Sequence, residues 1–194
     1  MTHPALLPVD LVREFVIAGH GDLDKVKALL AETPQLLQAA YPWQENDTET
    51  ALQGAAQVGN VAVAEFLLSQ GAPLDICTAA MLGREADVRQ MLKEDPTRIQ
   101  ATGAHGIPLL PHAAISGSVP LVEMLVQSGA EAGASFALQN AVSRGHTALV
   151  GWLLANSQPD LGWKNYQGKT ALATALERQD ETTARLLHAH GAVE

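Results

Sequence analysis

The chain of 194 residues reads as an all-α solenoid of about six helix-turn-helix repeats, and three observations predict it. Three segments close on a proline turn: Leu29-Leu30 runs to Pro34, Met91-Leu92 to Pro96 and Leu153-Leu154 to Pro159. Three others, interleaved with them, close on Gly71-Ala72, Gly129-Ala130 and Gly191-Ala192. Aligned on the turn between the two helices of each unit, at Gly21, Gly59, Gly83, Gly117, Gly145 and Gln179, the steps are 38, 24, 34, 28 and 34 residues. Self-similarity at such a period belongs to stacked repeats, each of which buries its apolar face only against its neighbours.

The second helix of each unit carries matching apolar columns. Five residues past the turn stand Val26, Ala64, Val88, Val122, Val150 and Ala184; eight past it come Leu29, Leu67, Met91, Leu125, Leu153 and Leu187. Leu30, Leu68, Leu92, Val126 and Leu154 follow one place later, and the three columns form a stripe at helical spacing that predicts one buried face. His188 breaks the last column, a polar substitution suited to a terminal repeat. In the first helices, small pairs such as Ala55-Ala56, Ala79-Ala80 and Ala113-Ala114 allow close approach, and Thr50 and Thr170 are placed to cap N-termini through their hydroxyls. Pro34, Pro96 and Pro159 stop helices, because proline lacks the amide hydrogen that continuation needs.

The segment Asn165-Tyr166-Gln167-Gly168-Lys169-Thr170-Ala171-Leu172 resembles the first half of the ankyrin repeat, and Gly59-Asn60 through Gly71-Ala72 resembles the second. The mean step is also close to the ankyrin period of about 33 residues. The resemblance covers nearly the whole chain, in repeats at approximately 9–37, 49–75, 76–98, 108–131, 132–159 and 169–194 of a single domain. Departures are equally informative. The family's Thr-Pro-Leu-His motif, which ties adjacent turns together, is degraded to Thr50-Ala51-Leu52-Gln53, Pro108-Leu109-Leu110-Pro111 and Thr170-Ala171-Leu172-Ala173, so looser coupling between repeats is expected. The units at 76 and 132 begin almost directly after the preceding Gly-Ala, which leaves long finger loops only before repeats two, four and six, near 38–49, 99–108 and 160–169.

Composition fits such an array. With 47% hydrophobic residues the chain can bury a continuous core that no single repeat could form. It contains no apolar run long enough to span a bilayer, and the start, Met1 to Pro8, does not read as a secretory signal, so a cytoplasmic location and no membrane partner are expected. A net charge of −9 repels phosphate backbones, so no nucleic-acid partner is expected. Cys77 is the one cysteine, which excludes an internal disulfide and a multi-cysteine metal site; beside Ala79-Ala80 it reads as a small buried residue. No cofactor and no metal are expected, since His188 and His190 at a chain end would leave coordination incomplete.

The resemblance implies a protein or peptide partner on the concave side. Carried over residue by residue, the family's contact positions are Asn46, Asp47 and Glu49 on the first finger, His105 and Ile107 on the second, and Tyr166, Gln167 and Lys169 on the third. On the first helices they are Gln57, Val58, Met81, Leu82, Ile115, Ser116, Arg144 and Arg178. Val58, Met81, Leu82 and Ile115 would form an apolar floor, unless they pack under neighbouring fingers. Glu45, Asp47 and Glu49 would make an acidic lip, and Arg144, Lys164, Lys169 and Arg178 a basic one, with Trp43 and Tyr166 as aromatic anchors. A helix or extended segment with opposite charges at its ends would fit.

A second reading is a small-molecule site or an unusual enzyme built from Trp43, Glu49, His105 and His112, where a histidine beside a carboxylate could act as a general base. No nucleophile motif or phosphate-binding glycine loop accompanies them, and prolines at 108 and 111 separate the two histidines. Trp152 is expected to fill the outer helix layer, Trp163 to pack on the preceding repeat, and His146 to hydrogen-bond neighbouring backbone.

Overall fold

Capping chemistry sets where the helices begin. Asp22, Thr50, Asn60, Asp75, Ser118, Thr170 and Asp180 each accept, through the side chain, the backbone N–H three residues on, which satisfies one of the orphan donors of a first turn. At Thr50 the bond is reciprocated by Gln53, a complete capping box. The computed structural model describes residues 7–193; the opening segment through residue 6, read above for a leader, and Glu194 lie outside the described residues.

The helices fall into six consecutive pairs: α1 (Val9–Gly19) and α2 (Leu23–Glu32), α3 (Ala51–Val58) and α4 (Val61–Ser69), α5 (Ile76–Met81) and α6 (Glu85–Glu94), α7 (Leu109–Ser116) and α8 (Val119–Gln127), α9 (Ala134–Arg144) and α10 (Thr147–Asn156), α11 (Ala171–Glu177) and α12 (Glu181–Ala189). The molecule is an all-α solenoid. The first helices of the pairs pack side by side as one layer, α1 on α3, α3 on α5, and so on to α11, with the second helices as the other layer. Within four pairs the turn places Gly59, Gly83, Gly117 and Gly145 at φ of 69–74°, a region that costs an L-residue strain. Gln179 adopts φ 57° in the last pair, and Gly21 in the first lies outside this region.

The column five residues past the turn is buried in all six units, as are Leu67, Leu125, Leu153 and Leu187 of the next; Leu29 and Met91 are half-buried. The core is not one spine but two clusters. One joins α1 to α4 and takes in Met81 from α5 and Ile115 from α7; the other runs from Ile76 to Ala192. Helix α6 lies at the seam and buries only Val88.

The connections differ in length. Residues 33–50 hold a 3₁₀ turn, Pro34–Gln38, and a hairpin of β1 (Ala40–Gln44) and β2 (Asp47–Thr50), with Tyr41 opposite Glu49 and Asn46 at φ 64° at its tip. This strand pair is a finger outside the helical core. Residues 95–108 hold a second 3₁₀ turn, Pro96–Gln100, a bridge from Thr102 to Pro108, and a tight loop at Ala104–Gly106 in which His105 adopts φ 56°. In the third long connection, Asn165 Oδ1 accepts the N–H groups of Gln167 and Lys169 at 2.9 and 3.0 Å. Cys77 is buried on α5, and burial pushes its thiol up to about 12.

Coupling between repeats is not confined to the degraded motif. Gln139 Nε2 donates to Thr174 Oγ1 at 2.7 Å, Asn140 Nδ2 to Pro111 O at 3.0 Å, and Thr147 and Thr183 share a hydroxyl bond at 3.1 Å. His146 donates through Nε2 to the carbonyl of Ile115 at 3.0 Å. Trp163 stacks on Phe136 of the preceding repeat with ring centres 5.4 Å apart, and Trp152 packs half-buried against the core.

Candidate functional site

The hairpin finger is organised around one carboxylate. Pairing of β1 with β2 turns Glu49 inward, where it is 0% exposed, and Trp43 Nε1 donates to its Oε2 at 2.6 Å. His20, at the end of α1, sits with Nε2 3.2 Å from Glu49 Oε1 and 3.2 Å from Gln57 Oε1. Only the contact with Gln57 has hydrogen-bond alignment, so Glu49 Oε1 is held by charge and has no hydrogen-bond donor among the described residues. His20 Nδ1 faces the carbonyl of Val16 at 3.1 Å. With acceptors at both ring nitrogens the cationic form is favoured, and His20 is raised above the usual histidine range, by Glu49 first, against the opposing effect of burial.

The second finger closes on the first. His105 Nδ1 lies 2.8 Å from Asp47 Oδ2 and its Nε2 3.7 Å from Glu49 Oε2, with the ring 6.1 Å from that of Trp43. The hydrogen bond from His105 holds the Asp47 carboxyl below its ordinary value. Because the short third repeat carries no finger of its own, the fingers of the second and fourth repeats touch directly.

A separate cleft of about 420 Å³ is lined by Gln57 and Val58 of α3, Phe136, Asn140 and Arg144 of α9, and Tyr166 of the third finger. Tyr166 is 95% exposed and Val58 41%. Arg144 spans the cleft, donating through Nη2 to the carbonyl of Val58 at 2.5 Å. The approach is close: a Cβ on Gly59 would stand 2.3 Å from that nitrogen and 2.6 Å from Ile115 Cγ2.

Several contact positions read from the sequence are corrected by burial. Met81 is 1% exposed and Ile115 7%, both packed in the first core cluster, so the apolar floor they were to form faces inward; Leu82 is half-buried beside them. They face inward because α3, α5 and α7 crowd together where the third repeat has no finger. The acidic lip is likewise not a free surface, since Glu49 is buried and Asp47 is engaged by His105, leaving Glu45 and Asn46 exposed. On the basic side, Lys169 Nζ pairs with Glu177 at 2.6 Å, Arg178 donates to Ser143 O at 2.6 Å, and Lys164 is exposed. Ile107 and Ser116 are half-buried, the latter donating to Ala113 O, and Gln167 is exposed at the finger tip.

Trp43, Glu49 and His105 do come together, but His112 does not join them. It is buried on α7 beneath Gly103, whose added Cβ would meet its Nε2 at 2.5 Å, and neither ring nitrogen has a hydrogen-bond partner among the described residues. Burial lowers its pKa. A fully buried Glu49 held by Trp43 and flanked by two imidazoles is built to anchor a finger, while His105 stays partly exposed beside Asp47. Among the described residues, no group of three or more His, Cys, Asp or Glu could hold a metal ion, and no helix is long and apolar enough to cross a membrane.

Sequence reasoning missed His20, Phe136, Asn140 and Asn165. His20 falls just before the turn glycine of the first repeat, and its partner Glu49 belongs to the finger of the next, so nothing local marks the pair. Phe136 and Asn140 lie one turn apart on α9 and line the cleft with Arg144 of the same helix, whose neighbours in the stack are α7 and α11.

The comparisons with known proteins agree with this architecture. Residues 110–193 match the family model for ankyrin repeats in three copies, and residues 47–79 match that for the single ankyrin repeat. Together they cover 117 of 194 residues, 84 in the first match and 33 in the second. Six stacked helix pairs, left-handed turn residues and family matches over more than half the sequence agree: the chain belongs to the ankyrin repeat family.

Proposed function

We propose that this protein is a recognition module that holds a protein or peptide partner in the concave cleft between α3, α9 and the third finger. Ankyrin repeats are in general protein–protein interaction modules, and the fold alone does not choose the partner. The observation that carries the reading is Tyr166. A tyrosine at the tip of a finger, 95% exposed and beside a cleft of about 420 Å³, leaves uncovered a ring whose burial would stabilise a complex. Gln57 and Asn140 add side-chain amides, which can donate to and accept from the backbone of an extended segment. Asn46, Asp47, His105, Ile107 and Gln167 lie on the finger loops and are assigned to the rim of the groove. Met81, Ile115, Glu49 and His112 are left out of the contact surface because they are buried.

Photo-crosslinking tests the proposal. A benzoylphenylalanine in place of Tyr166 is expected to crosslink a protein partner in extract, whereas the same residue in place of Gln127, exposed on α8, is expected to give none. Equal crosslinking from both positions, or none from position 166, would overturn it.

A further inference from the structure

Arg144 is an exposed cation that lines the cleft and rests against a backbone carbonyl, with no anion paired to it among the described residues. Lys25, Arg84, Arg89, Arg98, Lys169 and Arg185 each pair with a carboxylate within 4 Å, whereas Arg13, Lys27, Lys93, Arg144, Lys164 and Arg178 have no such pair among the described residues; of these, Arg144 lines the cleft. Its hydrogen bond goes to a backbone carbonyl, Val58 O at the C-terminal end of α3. Partial burial depresses the guanidinium pKa, with no compensating acidic group. A carbonyl at a helix C-terminus carries partial negative charge and steadies a cation, but a carboxylate forms the stronger, bidentate bond.

Resting on the cleft reading above, we infer that Arg144 is the specificity residue of the groove and that the partner segment presents a carboxylate to it, next to an apolar or aromatic residue for Tyr166 and Val58. In the free protein the guanidinium is parked on Val58 O; the bound carboxylate takes it over. A singly charged group fits better than a phosphoryl dianion. The site faces the carbonyl end of α3 and belongs to a chain of net charge −9, both of which oppose a second negative charge. The amides of Gln57 and Asn140 flank Arg144 and can hold the backbone on either side of the acidic residue.

The test uses random peptide libraries displayed on the full chain, one with internal and one with free C-terminal ends, so that a side-chain carboxylate and a chain-end carboxylate are told apart. Peptides whose capture is lost with Tyr166→Ala define binders of this cleft. Among them a single Asp, Glu or terminal carboxylate is expected at a fixed spacing from an apolar residue. Changing it to Asn, Gln or an amide is expected to weaken binding ~10-fold or more, about 1.4 kcal/mol. Arg144→Met should remove that discrimination, while Arg144→Lys retains part of it. The peptide-side changes need no variant of the protein, so a misfolded Arg144→Met leaves the result readable. Cleft binders indifferent to the carboxylate would overturn this inference and leave the groove reading standing; libraries that yield no Tyr166-dependent binder would overturn both.

Discussion

The first two repeats and the last four solve the same packing problem differently. In the C-terminal four, alanine and leucine columns interlock from Ile76 to Ala192, and polar links such as Gln139 to Thr174 run between neighbouring repeats. The N-terminal pair has a smaller apolar cluster and adds a buried carboxylate, Glu49, held by Trp43 and flanked by His20 and His105. Dispersed apolar packing tolerates loss of one contact, whereas a buried charge depends on every partner that compensates it. The N-terminal pair is therefore expected to be the less robust part. Its ties to the rest include the packing of α3 on α5, Met81 and Ile115 in its core, the ion pair of Arg84 with Glu65, the His105 latch, and Arg144 on Val58.

The largest expected effect comes from the seam. Ile115→Ala should destabilise by about 3 kcal/mol, since it leaves a cavity where α7 meets the first cluster. It should also separate the two parts, so that hydrogen exchange of α1–α4 becomes faster than that of α7–α10; uniform acceleration would show a single cooperative core. Next is Glu49→Gln, which keeps the shape and an acceptor for Trp43 but loses the charge that His20 and His105 face. A loss of about 2 kcal/mol is expected, confined to the N-terminal pair and read as a fall in denaturant midpoint with early exposure of Trp43.

The smallest effect is a pH dependence. The folded pKa of His20 lies above its unfolded value, so its contribution is fully present below about pH 6.5 and is lost as pH rises through the raised folded value. Hydrogen exchange of the hairpin, corrected for the intrinsic pH dependence of exchange, should show protection that falls over that window. His20→Gln should flatten the profile, and an unchanged profile would show that the hairpin is anchored by Trp43 and His105 alone.

Much of the architecture was legible in the residues. The turn residues, the apolar columns and the caps at Thr50 and Thr170 are local patterns that recur, and helix formation and burial of one face follow from them directly. The site was less legible. Met81 and Ile115 occupy positions that face a groove in a regular array, but the short third repeat lets α3 approach α7 and α9 and turns them into core. Glu49 reads as one of three acids on a loop until strand pairing points it inward.

By itself the sequence determined the all-helical stack, because propensity, capping and a repeating apolar stripe act over a few residues and agree in every unit. Only the tertiary structure decided which charges are compensated and which apolar groups stay exposed. Those outcomes depend on contacts such as Arg144 with Val58 and His105 with Asp47, which join residues far apart in the sequence and which no local pattern encodes.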